Sequence, residues 1–138
     1  MVAPLFWKSK TISKVCTSSK HAETRACSKC MSDAKFSAAR IEKMLFGDIK
    51  TRIQVEIFTD SEPLIESIKS TKRVEDRGLC QTVEQFKEAL LDSTVSCFCY
   101  IPTKDNAADF FTKVKPESPD FFGLFHYGCF SKGSKAKM

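Results

Sequence analysis

Three carboxylates stand out by where the chain puts them. Asp60 directly follows an apolar, β-branched run from Ile53 to Phe58. It would therefore lie just past the C-terminal end of a strand, at the edge of an open α/β sheet where ligands tend to bind. Glu23 falls in the first turns of a long helix-favouring stretch, and Asp109 in the first turns of a short one. Carboxylates converging from separate elements supply the hard oxygen donors that Mg²⁺ or Mn²⁺ takes, with positions left for water and phosphate. Two such ions about 4 Å apart would clamp the attacking and leaving oxygens of a phosphodiester. Each acid also has an ordinary explanation. The helix macrodipole favours an acid near an N-terminus, and an aspartate after a strand is a common turn or cap residue. Position alone leaves the three undecided.

Sulfur and imidazole offer other chemistry. The seven cysteines stand at 16, 27, 30, 80, 97, 99 and 129. Cys27 and Cys30 have the CxxC spacing of a zinc site, and Cys97 and Cys99 share one face of a strand. Zinc sites usually pair a CxxC with a second pair carried on a tight turn, whereas this CxxC falls inside a helix. A cysteine enzyme built on His21 or His126 is the other possibility, but neither histidine sits in a recognisable nucleophile motif. The cysteine number is odd and no secretory signal opens the chain, so reduced thiols in an intracellular compartment are expected.

The elements that would position these groups follow from composition and period. Lys8 to Val15 is basic and β-branched and reads as a strand. Thr17, Ser18 or Ser19 can cap a helix. From Lys20 to Phe46 the chain lacks Gly and Pro and is rich in good helix formers. Ala22, Ala26 and Cys30 lie one turn apart there, Ile41 and Leu45 continue the stripe, and Gly47 supplies the left-handed end. Ile53 to Phe58 reads as a strand with Ile53, Val55 and Ile57 on one face. Pro63 suits a first helical turn, and Leu64, Ile65 and Ile68 give that helix its apolar side. Lys69 to Arg77 reads as an exposed connection. A helix from Leu79 to Leu91 carries Leu79, Val83, Phe86 and Leu90 on one face, and Thr94 to Ile101 is a strand stopped by Pro102. Asp105 or Asn106 can cap a short helix through Phe111. Strands alternating with helices predict an α/β domain with a largely parallel sheet covered by helices.

Composition sets the outer bounds. At 138 residues, 42% hydrophobic and 28% charged, the chain suits one soluble globular domain. Twelve Phe against one Trp and two Tyr predict a Phe-rich core. No apolar stretch reaches the ~20 residues of a membrane span. The net charge of +5 is compatible with a polyanionic partner without demanding one. The small, basic end from Ser131 to Met138 is expected to be disordered.

Several words of the sequence resemble a known family. WKSKTISKVCTSSKHAETRA, IFTDSEPLIESIKSTKRVEDRGLCQTVEQFKEAL and CYIPTKDNAADFFTK arrive in the order and spacing found at the end of copia-type retrotransposon polyproteins. WKSK resembles the strand before the first helix of their ribonuclease H domain, HAET the start of that helix, and FTDS the end of the central strand. YIPTKDNAADFFTK resembles the last strand and helix and is the most specific. The resemblance covers roughly residues 6 to 115. It implies a ribonuclease H-like mixed sheet with flanking helices over residues 1–115, followed by a C-terminal extension over 116–130 and the basic tail over 131–138. It also implies metal-dependent hydrolysis of the RNA strand in RNA–DNA hybrids. Glu23, Asp60 and Asp109 fall on three of the family's four metal-binding acids, with Mg²⁺ or Mn²⁺ as cofactor. Lys8, Lys10, Lys14, Lys72, Arg73 and Lys113 are candidates to track backbone phosphates, which positions a duplex without reading its sequence; a solvated basic face is the plainer role for the six.

The sequence departs from that pattern at its beginning. The fourth acid belongs on the first strand of the fold, but no aspartate precedes Asp33, which lies mid-helix. The chain begins at about the third strand, so the first strands are expected to be missing and a sheet edge exposed. An upstream reverse transcriptase portion would be the natural partner, and the isolated chain is expected to be inactive. A non-catalytic nucleic-acid-binding or interaction remnant of an element is the alternative.

Overall fold

The computed structural model describes residues 8, 12, 15–47, 53–72, 74–106 and 108. The chain divides into two compact units, Ile12–Tyr100 and Met1–Thr11 with Ile101–Met138. In the first unit the order is α1 (Ser19–Phe46), β1 (Glu56–Thr59), α2 (Glu62–Lys69), α3 (Arg77–Leu91) and β2 (Cys97–Tyr100). In the second, a 3₁₀ turn spans Thr103–Asp105. The described residues are thus a mixed α/β arrangement: helices with a two-stranded parallel sheet. The strand expected over Lys8–Val15 and the helix expected through Phe111 fall largely outside the described residues, as do the C-terminal extension and tail.

Local chemistry sets the ends of α1. Ser18 has extended backbone, and its hydroxyl oxygen accepts from the His21 N–H at 3.2 Å, satisfying one of the orphan donors of a helix start. At the other end Gly47 has φ 61 and ψ −122, and its N–H donates to the Lys43 carbonyl at 3.1 Å. Side-chain-bearing residues avoid that region, so the glycine is what lets the chain leave the helix there. The buried face is not the one expected. His21, Thr24, Cys27 and Met31 are buried, with Ala34 and Ala38 packed on the core, whereas Ala26 and Cys30 are exposed and Leu45 is 68% exposed. Small residues match a helical period as well on the solvent side as on the core side. The larger Met31 decides the face, because it removes more apolar area from water.

β1 alternates as expected: Val55, Ile57 and Thr59 are buried and Gln54, Glu56 and Phe58 exposed. Both strands are shorter than the sequence suggests. The register pairs Glu56 with Cys97 and Thr59 with Tyr100. A turn occupies the residues ahead of Cys97, where Asp92 Oδ1 accepts from the Thr94 N–H at 2.9 Å and hydroxyl at 2.7 Å. Ser93 takes φ 58 in that turn, and the Val95 N–H returns to the Ala89 carbonyl at 3.0 Å. The ladder therefore opens only at Ser96, whose N–H donates to the Val55 carbonyl at 2.8 Å.

The core joins Cys27 and Met31 of α1, Val55 and Ile57, Leu64, Ile65 and Ile68 of α2, Phe86 and Ala89 of α3, and Val95 and Phe98. Leu64, Val83 and Phe86 are fully enclosed. Among the described residues the core is mainly aliphatic; seven of the twelve Phe lie outside them. Phe86 and Phe98 lie in it, with ring centroids 5.1 Å apart, while Phe36 and Phe58 are 64% and 56% exposed.

Candidate functional site

Asp60 is the first residue after β1, half-buried, at the end of the sheet toward which both parallel strands run. Thr59 shapes the turn beyond it, its Oγ1 accepting from the Ser61 N–H at 3.2 Å. The Ser61 carbonyl then receives the Leu64 and Ile65 N–H groups, both at 3.2 Å, and Pro63 stands in the first turn of α2. A strand end, an acid and a helix start thus follow one another without slack, which fixes the backbone that carries the Asp60 carboxylate.

Glu23 lies in the second turn of α1, exposed, between buried His21 and buried Thr24. Its carboxylate acts on Cys27 one turn later. Burial first, then the Cys30 thiol and then Glu23 push the Cys27 thiol up to about 12. The Cys30 thiol is raised as well, by partial burial of its sulfur and then by Asp33, although the residue as a whole is exposed. The CxxC is divided, Cys27 in the core and Cys30 exposed to solvent.

His21 is the side chain whose role the sequence concealed. It is buried, and Arg25 Nε donates to its Nε2 at 2.8 Å. An accepting Nε2 leaves the proton of the neutral ring on Nδ1, which then donates to Thr17 Oγ1 at 3.2 Å. The ring also lies against the start of α3: a Cβ built on Gly78 would stand 3.5 Å from His21 Cε1. Two residues from Glu23, this imidazole locks the first turns of α1 to α3, a structural part rather than half of a cysteine–histidine pair.

The remaining candidates divide by position. Lys8 and Lys72 are exposed, and the Lys72 N–H donates to Ser70 Oγ at 3.1 Å. Asp109, Lys10, Lys14, Arg73, Lys113 and His126 lie outside the described residues. Asp105, four residues before Asp109, has a buried Oδ2 with no hydrogen-bond partner among the described residues. Asp33 forms an ion pair with Lys29 at 3.0 Å.

Glu23 and Asp60 offer the hard oxygen donors a divalent ion takes. Among the described residues, however, no three His, Cys, Asp or Glu side chains gather as a metal site. These residues therefore do not by themselves fit an ion. Nor is any described helix long and apolar enough to cross a membrane. No protein-family model matches the chain, and no curated protein or solved structure matches it.

Proposed function

We propose that the chain carries part of a ribonuclease H-like domain of the copia retrotransposon type, whose chemistry is metal-dependent hydrolysis of RNA in RNA–DNA hybrids. The observation that carries the reading is Asp60 at the C-terminal end of β1, in a parallel pair with β2 joined by two helices. That is where a catalytic acid of such a fold belongs, and FTDS is the word the resemblance rests on there. In this reading Glu23, Asp60 and Asp109 hold Mg²⁺ or Mn²⁺, and Lys8, Lys10, Lys14, Lys72, Arg73 and Lys113 meet phosphates. The partners are the hybrid and an upstream reverse transcriptase portion. The sequence holds three of the family's four acids, and in this reading the chain by itself is expected to bind hybrid without cutting it.

The test uses a hybrid with labelled RNA, first with the purified chain and then with the chain fused to the segment its reading frame encodes upstream. The chain alone is expected to bind and leave the RNA intact. The fusion is expected to cleave in Mg²⁺, and Asp60→Asn or Glu23→Gln to reduce cleavage by at least about 100-fold, since metal stabilisation of the transition state is worth several kcal/mol. Binding without cleavage by the fusion would instead support the non-catalytic remnant. Absence of hybrid binding at low salt would remove the ribonuclease H-like reading and leave, of the alternative, the interaction remnant alone.

A further inference from the structure

Cys97 and Cys99 occupy the same face of β2, two residues apart, and their sulfurs stand 2.8 Å from each other with the Cys99 thiol donating toward Cys97. No other role so far falls to them. Phe98 between them turns the opposite way, into the core against Phe86. Both cysteines are half-buried, and across the sheet their register partners Glu56 and Phe58 are exposed, so this side of the strand pair faces solvent. The remaining described cysteines differ. Cys27 and Cys80 are buried, Cys30 is exposed, and Cys16 is half-buried on a separate segment ahead of α1. Zinc is not the natural occupant, because it asks for about four ligands and no third His, Cys, Asp or Glu gathers with the pair among the described residues.

We infer that Cys97 and Cys99 form a reversible dithiol–disulfide site, closed within one strand by a small disulfide such as glutathione disulfide. The sulfurs need to approach by less than 1 Å to reach the bond length of about 2.0 Å. Residues two apart in a strand have Cα atoms about 6.6 Å apart, the upper end of the span a disulfide accepts. The bridge therefore forms with little to spare and opens readily, as stretched disulfides do. In the exchange, Cys99 as thiolate attacks a sulfur of glutathione disulfide and expels one glutathione thiolate, since burial first, then Cys99 and Glu56, push the Cys97 thiol up to about 12. The second cysteine attacks the protein sulfur of that mixed disulfide and expels the other. The protein gives up two electrons and two protons, and glutathione disulfide becomes two glutathione thiols. Closure draws the flanks of Phe98 together, so it acts on the strand that seats this ring in the core.

The chain permits a direct test, because cleavage after Lys87 and Lys104 releases residues 88–104 with Cys97 and Cys99 and no other cysteine. The reduced, folded chain is treated with millimolar glutathione disulfide, its remaining thiols are trapped with N-ethylmaleimide, and the digest is weighed. The expected peptide carries no maleimide, weighs about 2 Da less than its dithiol form, and regains that mass in excess dithiothreitol. Two maleimides on the peptide, a persistent glutathione adduct, or a bridge to a different peptide would each overturn the proposal. So would closure that occurs in urea and not in the folded chain. In Cys99→Ser the two-hydrogen loss is expected to vanish and Cys97 to take up glutathione or maleimide instead.

Discussion

Cys27 belongs to the buried core, and this burial ties folding to alkaline pH. The sign follows from where the proton goes. Below the ordinary thiol value of 9.0 both folded and unfolded chains keep it. Above that value the unfolded chain releases it while the folded chain holds it until about 12, so stability falls as pH rises. The slope reaches at most about 1.4 kcal/mol per pH unit for this one thiol. Thermal unfolding followed from pH 8 to 10.5 should show the midpoint dropping, and Cys27→Ala should remove part of the drop, the rest belonging to the Cys97 and Cys30 thiols, which burial also raises; equal slopes in the two proteins would show that the Cys27 thiol is not responsible. His21 gives a second test at the same scale. Removing its ring leaves Arg25 and Thr17 without partners and opens space at Gly78, so His21→Ala should cost about 2–3 kcal/mol. His21→Gln, which can keep an acceptor near Arg25, should recover part of it in a urea titration. The sequence could not reveal this role, because the partners at Thr17 and Arg25 are merely one turn away, while the neighbour that gives the ring its purpose, Gly78, is more than fifty residues distant.

At the scale of elements, periodicity was informative wherever one face held large apolar residues. In β1 and the residues leading into it, the alternation of Val55 and Ile57 with Gln54 and Glu56 assigned the faces, and in α3 Leu79, Val83 and Phe86 assigned the buried side. α1 defeated the same reasoning because Ala22, Ala26 and Cys30 carry too little area to choose a face, and the polar residues His21 and Thr24 take buried positions. Thr24 manages this by donating its hydroxyl to the Lys20 carbonyl at 2.7 Å, one turn back on its own helix. The ends of α1 were legible, since cap chemistry is local. Gly47 tests the point cleanly: an added Cβ would meet nothing within 4 Å, so any cost of Gly47→Ala is backbone strain alone. At φ 61 and ψ −122 that strain should destabilise by about 1–2 kcal/mol. Unfolding in urea with an unchanged m-value would report it, and a neutral substitution would mean that the chain leaves α1 by another conformation.

For the whole molecule, the acids and the cations differ in how far the sequence exposes them. Asp60 could be placed at a sheet edge from the run that precedes it, and it lies at the end of β1. Glu23 could be placed on α1, though which side it shares with the core depended on the misread stripe. Charge is a different matter, because Lys and Arg number 22 against 17 acids, and a small excess says little about where cations gather. Salt dependence measures what the count cannot. Each phosphate neutralised by a cation releases condensed counterions, so the logarithm of the hybrid-binding constant falls with the logarithm of salt at about 0.9 per contact. If Lys8, Lys10, Lys14, Lys72, Arg73 and Lys113 all meet phosphates, the slope should be about −5. Replacing Lys72 and Arg73 by Gln should flatten it by about 2 while lowering affinity equally for hybrids of unrelated sequence, because such contacts position without reading bases. A slope of about −1 that these replacements leave unchanged would mean that the cations form a solvated face and that nucleic acid, if it binds at all, is held elsewhere.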